Sequence, residues 1–427
     1  MKNPTIAVVG LWHLGCVTSA CLSSISKVVI GYDPDEKIVD DLNKGITPIY
    51  EPFLKDKIKE GIKFGSLKFT SDFNEIENAD YIWITFDTPI NSKNECQLNI
   101  IFDTLKFLSK KKNGYNFIIS SQVSTGTCDR ILEIFPKEKK INIAYIPENL
   151  QLGNAIEKFM NPDVWVIGSN CFKYAQDVKK LLNKISNNPI ICDIRTAEFA
   201  KHAINSFLAT SISFSNELSD LAVSMNANYY TVVDIMKRDN RIGTKLPLFP
   251  GPWFSGGTLA RDLKSLKSIA TKNRITPTLI NSILNINEAR IKELFSRVEN
   301  LHPLKESSVS IIGVIYKENT DTLRQSPGIQ IIKYLNKLRV KDIRLYDPLI
   351  NPEQINETNS SLCGNIIETI RHAQIVVILR KGCIEDVLED EFYSLLAGKV
   401  VLDIWNIISD NKIIEYNINC IKPGRLV

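Results

Sequence analysis

The chain alternates short apolar, β-rich runs with longer stretches of helical periodicity. Runs at Ile6–Val9, Val28–Tyr32, Tyr81–Thr85, Phe117–Ser120, Ile143–Ile146 and Val164–Ile167 read as strands. Strands separated in this way by helical patterns predict a parallel, doubly wound sheet. A long helix is expected over Thr196 to Met225, where Phe199, Ala203, Phe207 and Ile212 recur at helical spacing. More helix is expected from Leu259 to Val298. A second alternating region begins near Ser308, with strands at Ser308–Ile312, Asp342–Tyr346, Ile375–Leu379 and Val400–Asp403. The pattern predicts two α/β domains joined by a helical middle, at 1–190, 191–300 and 301–427. Asn300–Glu306, with Pro303, is the expected later boundary. The two α/β regions are alike in kind, with no sequence repeat between them.

Composition narrows the class. The 427 residues carry 44% hydrophobic and 23% charged side chains, ordinary for a soluble globular protein with two or three domains. A net charge of +4 is small for this length. The Lys110–Lys112 and Lys137–Lys140 tracts read as solvated loops or helix ends, so no nucleic-acid partner is expected. The nine cysteines are scattered without a C-x-x-C pair, and the four histidines do not cluster, so no metal site is expected. The odd cysteine count and the absence of a secretory pattern fit a reduced, cytoplasmic setting. No apolar stretch approaches the length of a membrane span.

Gly10-Leu-Trp-His-Leu-Gly15 follows the first strand and precedes a helix. The spacing matches the G-x-G-x-x-G turn, which offers backbone N–H groups and a helix N-terminus to a pyrophosphate. Trp12 stands where the middle glycine lets a phosphate approach, so a connection that binds nothing is also compatible with the turn. Asp33 ends the second strand, 18 residues after Gly15, where a carboxylate accepts ribose hydroxyls and disfavours a 2′-phosphate. The pair points to NAD; with the second alternating region, the expected fold is α/β, two Rossmann-like doubly wound domains joined by a long helical region.

Fragments spread along the chain carry a broader likeness. They include Glu51-Pro52, Thr88-Pro89, Pro147-Glu148-Asn149-Leu150 and Asn161-Pro-Asp163. Ala197-Glu-Phe-Ala-Lys201 with Asn205, Ser213-Phe-Ser-Asn-Glu217 and Arg241-Ile-Gly243 follow. Then come Gly251-Pro-Trp-Phe-Ser-Gly-Gly-Thr-Leu-Ala-Arg-Asp262 and Lys317-Glu-Asn-Thr-Asp321 with Arg324 and Ser326-Pro327. In order and spacing the chain resembles the UDP-glucose/GDP-mannose dehydrogenase family. The resemblance implies an NAD domain, a central helix supporting a homodimer, and a UDP-sugar domain. It also implies oxidation of a sugar C6 alcohol by two NAD, through an aldehyde and a cysteine thioester, in polysaccharide precursor synthesis.

By the same resemblance, Lys201 and Asn205, one turn apart on a helix, reach the sugar and the developing oxyanion. Asp262 helps remove the proton, and Glu148 lines the site between cofactor and sugar. Gly10, Trp12, His13, Leu14, Gly15, Asp33, Thr88, Gln122 and Glu148 fall at cofactor positions. Asn149, Leu150, Lys201, Asn205, Phe254, Gly257, Lys317 and Arg324 fall at substrate positions. Arg241 falls where the family sends an arginine to the neighbouring subunit. Taken singly, these residues are equally readable as surface charges, caps and strand ends.

The departures define the main question. Thr258 occupies the place of the nucleophilic cysteine. Gln122 stands for a threonine, Leu152 for a second glutamate, Arg261 for a lysine, and Trp405 for the arginine of D-x-R-N. Positions 122, 152 and 258 belong to the part of the family site that forms and hydrolyses the thioester. A threonine hydroxyl needs a strong adjacent base to act as a nucleophile. A two-electron product is therefore expected. A complete four-electron oxidation and a binding-only protein remain the alternatives.

Overall fold

A computed structural model describes residues 4–25, 28–89, 97–110, 114–148, 150–185, 188–316, 322–356, 358–384 and 389–426. The chain forms two compact units, Met1–Ile204 and Asn205–Val427. The division falls inside a 31-residue helix, Ile194–Ser224, the long helix expected from periodicity.

The first unit is built on an eight-stranded sheet. Its strands are β1 (Thr5–Val9), β2 (Val28–Tyr32), β3 (Leu67–Thr70), β4 (Tyr81–Ile84), β5 (Gly114–Ile119), β6 (Lys140–Tyr145), β7 (Val166–Ser169) and β8 (Ile190–Cys192). The order is β3-β2-β1-β4-β5-β6-β7-β8. All neighbours are parallel except β6 and β7, an antiparallel pair that the expectation of a purely parallel sheet did not contain. Alternate residues of β1 serve opposite faces. Ile6 and Val8 pack with the helices His13–Ser23, Leu54–Lys63 and Phe172–Leu181. Ala7 and Val9 pack with Asn99–Ser109 and Thr127–Leu132. Burial on both faces is why the strand reads as a continuous apolar run.

The second unit begins with the rest of the long helix and three more. These are Tyr229–Arg238, Leu259–Lys272 and Thr278–Leu301. The single helix expected over Leu259–Val298 is thus two. Arg274 takes a left-handed φ of 59°, and Pro277 follows before the second helix starts. A six-stranded, wholly parallel sheet completes the unit. Its strands are β9 (Ser308–Ile312), β10 (Asp342–Tyr346), β11 (Ser361–Leu362), β12 (Ile375–Ile378), β13 (Val400–Asp403) and β14 (Asn419–Ile421). The order is β11-β10-β9-β12-β13-β14. Val309 and Ile311 face Leu294, Phe295 and the helix Pro327–Lys337, whereas Ile312 shares the opposite layer with Ile370 and Phe392.

The two α/β regions, expected to share no sequence repeat, have one short local likeness. Each sheet has a strand, a positive-φ glycine, and Tyr-Asp-Pro at the end of the next strand. The copies are Gly10 with Tyr32-Asp33-Pro34 and Gly313 with Tyr346-Asp347-Pro348. So few shared residues escape a sequence comparison, but the backbone bonds coincide, as shown below.

Candidate active site

In the first unit the glycine-rich turn is tightly built. Gly10 has φ 101°, and its N–H donates to Tyr32 O at 2.9 Å. A side chain at Gly15 would place its first carbon 1.8 Å from Gly10 O. Only glycine lets the helix His13–Ser23 start this close to the turn. Trp12 takes an ordinary extended backbone, φ −85° and ψ −161°, and the residue is 42% exposed. The turn therefore closes without a glycine at 12. No acidic residue occupies the first helical turn. The helix N-terminus thus keeps its attraction for an anion.

Asp33 ties this turn to the end of β2. Its Oδ2 accepts the Leu11 N–H at 2.7 Å and its Oδ1 the Asp35 N–H at 3.1 Å. Burial raises its pKa above the usual carboxylate range, partly offset by those two bonds. Each oxygen keeps lone-pair capacity for a ribose hydroxyl. The residues present fit NAD: a cradle free of side chains at Gly10 and Gly15, an uncompensated helix N-terminus, and a carboxylate at the second strand end.

His13 is fixed from behind. Its Nε2 lies 2.8 Å from Glu51, whose buried carboxylate also accepts the N–H groups of Gly153 (2.9 Å) and Ala155 (2.8 Å). Burial opposes the ionised form of Glu51, but the His13 bond and the two backbone donors win and lower its pKa. Thr88 donates to Gln122 O, joining the loops after β4 and β5. Leu14, Glu148 and Leu150 line one pocket, together with Trp83, Phe159 and Trp165. The Glu148 carboxylate receives the Leu150 N–H, and its carbonyl receives the Lys201 ammonium. Lys201 is only 6% exposed.

Two residues of the same helix hold the neighbouring loop. Glu198, fully buried, accepts the N–H groups of Gly126 (2.5 Å) and Cys128 (2.9 Å). It thereby supplies the side-chain acceptors that the start of the helix Thr127–Leu132 lacks locally. The His202 ring lies 3.1 Å from Val123 O. Sequence reasoning assigned neither residue a role. Glu198 sits inside the quoted Ala197–Lys201 fragment, and its partners lie some 70 residues away.

In the second unit, Asn205 donates to the fully buried Asp262 carboxylate. Asp262 lies in the first turn of the helix Leu259–Lys272, and its N–H donates to Thr258 O at 3.1 Å. Thr258 is the exposed residue at the helix start, with no side-chain capping bond. Among the described residues no base is hydrogen-bonded to its hydroxyl. The preceding loop is clamped by two asparagines. Asn216 binds the Gly251 N–H and Pro252 O, each at 3.0 Å, and Asn287 binds the Phe254 N–H at 2.7 Å and Phe254 O at 3.1 Å. Around Gly257, space for a side chain is open, whereas Gly256, at φ 77°, abuts the Tyr316 ring.

The Gly256 N–H donates to Gln325 O at 3.1 Å, so Arg324 and Ser326 flank a residue bonded to this loop. Arg241 is 89% exposed at its side chain and pairs with Asp239 at 2.6 Å. Arg324 is exposed, and Ser326 is buried as the cap of the helix Pro327–Lys337. Asn149 and Lys317 lie outside the described residues. Among the described residues no group of three or more His, Cys, Asp and Glu could hold a metal. No described helix is long and apolar enough to cross a membrane.

Two sheets with nucleotide-type turns, the first fitted to NAD, define a dinucleotide-dependent oxidoreductase. The chain belongs to the UDP-glucose/GDP-mannose dehydrogenase family. Residues 4–186 match its NAD binding domain, 195–289 its central domain and 310–410 its UDP binding domain. A UDP-glucose 6-dehydrogenase of Rickettsia bellii (strain RML369-C) is 30% identical over 421 residues, covering 96% of each chain. The fold matches a UDP-glucose dehydrogenase from the archaeon Pyrobaculum islandicum, with TM-score 0.87, 24% identity, and coverage of 99% of this chain and 98% of that one. It matches a UDP-D-ManNAc dehydrogenase from Pyrococcus horikoshii nearly as well, with TM-score 0.86, 22% identity and 99% of each chain. The protein is an NAD-dependent nucleotide-sugar dehydrogenase acting on a CH–OH group.

Proposed function

We propose that the protein oxidises the C6 alcohol of a UDP-sugar of the UDP-glucose type and releases a two-electron product, an aldehyde or its hydrate. The observation that carries the reading is at Thr258. Its hydroxyl stands at a helix start with no base bonded to it among the described residues, while Asn205 and Asp262 remain paired and Lys201 remains buried.

Bound at the Gly10–Gly15 turn and Asp33, NAD would supply the acceptor for the C6 hydride. Asp262, held by Asn205, takes the proton of the alcohol directly or through water. Lys201 and Asn205 stabilise the negative charge that develops on the oxygen, where a fixed ammonium and an amide N–H need no reorganisation. Glu148 holds its loop in place through Leu150 and through the Lys201 contact. An unactivated threonine hydroxyl adds poorly to the aldehyde, and an ester formed from it would be a poorer acyl intermediate than a thioester. Leu152, in place of a carboxylate, leaves that second step without the family's acid-base group.

The test is to count NADH per sugar consumed across a panel of nucleotide sugars and to weigh the product. One NADH and an aldehyde mass support the proposal; two NADH and a uronate overturn its two-electron part. The fold does not select the sugar, because two neighbours with different named substrates match almost equally. The chain is further proposed to act in the cytoplasm as a homodimer in polysaccharide precursor synthesis, with Arg241 serving the neighbouring subunit. Phe207, Phe214 and Leu221 are half-exposed at seven-residue intervals along the long helix, which suits a helix-to-helix seam. Sedimentation that gives a monomer mass at micromolar protein would exclude the dimer.

A further inference from the structure

The second sheet repeats the first sheet's nucleotide turn with one change of chemistry. In the first unit, Gly10 donates to Tyr32 O at 2.9 Å, Leu11 to Asp33 Oδ2 at 2.7 Å, and Thr85 to Val9 O at 2.8 Å. In the second, Gly313 donates to Tyr346 O at 2.8 Å, Val314 to Asp347 Oδ2 at 2.7 Å, and Leu379 to Ile312 O at 2.8 Å. Gly313 has φ 85°, against 101° at Gly10. The residue beside the glycine differs. A side chain at Gly10 would strike Phe86 at 2.7 Å; one at Gly313 would strike the stem of Arg380 at 2.6 Å.

Arg380 changes what the aspartate can do. Its Nη1 lies 3.1 Å from both oxygens of Asp347, whose side chain is wholly buried. Asp347 also accepts the N–H groups of Ile315 and Leu349, each at 3.1 Å. A carboxylate so engaged has little capacity left for a ribose hydroxyl. The guanidinium itself is not used up. Its Nε is buried with no partner among the described residues, a costly state for a donor that a bound oxyanion would relieve.

The position suits a ligand. β9 and β12 are neighbours, and the chain builds outward from them in opposite directions. Gly313 and Arg380 therefore stand at the carboxyl edge where the strand order reverses, the place at which open α/β sheets receive ligands. Trp405, also just past a strand at this edge, stands where the resemblance expects an arginine, so one guanidinium is lost here and another is present at Arg380.

We propose that Arg380, anchored by Asp347, binds a diphosphate oxygen of the nucleotide sugar. This rests on the second unit being the nucleotide-sugar domain, and it makes the two turns chemically distinct. The carboxylate of the first receives hydroxyls, whereas the carboxylate–guanidinium pair of the second receives an anion.

The test is calorimetric titration of the full-length protein, wild type, Arg380→Met and Arg380→Lys, with UDP, uridine and NAD. Arg380→Met is expected to weaken UDP roughly 10- to 100-fold, as for loss of a charged hydrogen bond, with uridine and NAD unchanged. Arg380→Lys is expected to weaken UDP about 3- to 10-fold, because an ammonium keeps the charge and loses the fork. Wild-type UDP affinity in Arg380→Met overturns the proposal, as does an equal loss of UDP and uridine, which would mark a packing role. Should Arg380→Met fail to fold, wild-type UDP affinity in Arg380→Lys overturns it instead. A wild-type protein that binds NAD but no UDP or UDP-sugar removes the reading of the whole second unit, a failure distinct from that of Arg380 alone.

Discussion

Gly15→Ala tests how far the first turn depends on a missing side chain. The added carbon would lie 1.8 Å from Gly10 O, 2.8 Å from Gly10 C and 2.9 Å from Thr85 Oγ1. The first two obstacles are backbone, so the helix His13–Ser23 must retreat by more than about an ångström, a displacement a packed core resists. Overpacking costs about 1–3 kcal/mol, and a clash with backbone places this one at or above roughly 3 kcal/mol. For a unit of this size that is a melting shift of about 6–12 °C. The same retreat moves the N–H groups aimed at the pyrophosphate, so NAD affinity should fall at least ~100-fold, since a misplacement of about 1 Å carries such a penalty. Gly364→Ala is the control: its new carbon meets nothing nearer than Glu368 at 3.8 Å, and the change should stay within ~0.5 kcal/mol. The assay is thermal unfolding with and without NAD, beside calorimetric titration. A Gly15→Ala protein that melts with the wild type and binds NAD equally well would refute the reasoning.

Three further outcomes are expected. Thr258→Cys should restore part of the second oxidation, raising NADH per sugar from one toward two and leaving a sugar adduct on the new thiol detectable by mass; an unchanged ratio with no adduct counts against the account of Thr258. Glu51→Gln should cost about 1–3 kcal/mol near neutrality, because a buried charged acceptor of three partners becomes a neutral amide. Glu51 has a lowered folded pKa, so its contribution is complete above the unfolded value of 4.5 and is lost as pH falls through the folded value. The gap in melting temperature between the two proteins should therefore hold above about pH 5 and narrow in acid; a gap independent of pH would contradict the assignment. Asp220→Ala should cost about 3 kcal/mol, because it strips a 2.6 Å partner from Arg290, which is 1% exposed. Adding Arg290→Met should recover part of that loss in chemical denaturation, and a purely additive double variant would show that no stranded charge was involved.

How legible the protein was in its sequence depended on distance along the chain. Strands buried on both faces announced themselves because consecutive residues, such as Ile6 to Val9, are all apolar. The edge strands β3, β8, β11 and β14 did not, since all are short and β3, β11 and β14 also mix apolar with polar positions, as in Leu67 and Lys68 of β3. The break between the two later helices was hidden because Arg274 carries no sequence mark of a left-handed turn. Candidate site residues could be named where spacing is local: Gly10 to Gly15, Asp33, Lys201 with Asn205, and Thr258 with Asp262.

The sequence by itself determined the two α/β regions, the glycine-rich turn and the threonine at 258, because each is written in neighbouring residues or a short repeat. Tertiary structure alone decided which buried charges are held and by what. Glu51 meets Gly153 and Ala155, Glu198 meets Gly126 and Cys128, and Asp347 meets Arg380 across 33 to 104 residues of chain. A carboxylate's role as ribose acceptor, loop clamp or anchor for an arginine depends on which donors folding brings to it. Asp33 and Asp347 are the middle residues of the same Tyr-Asp-Pro motif, yet Asp33 accepts two backbone N–H groups while Asp347 is also bound by a guanidinium.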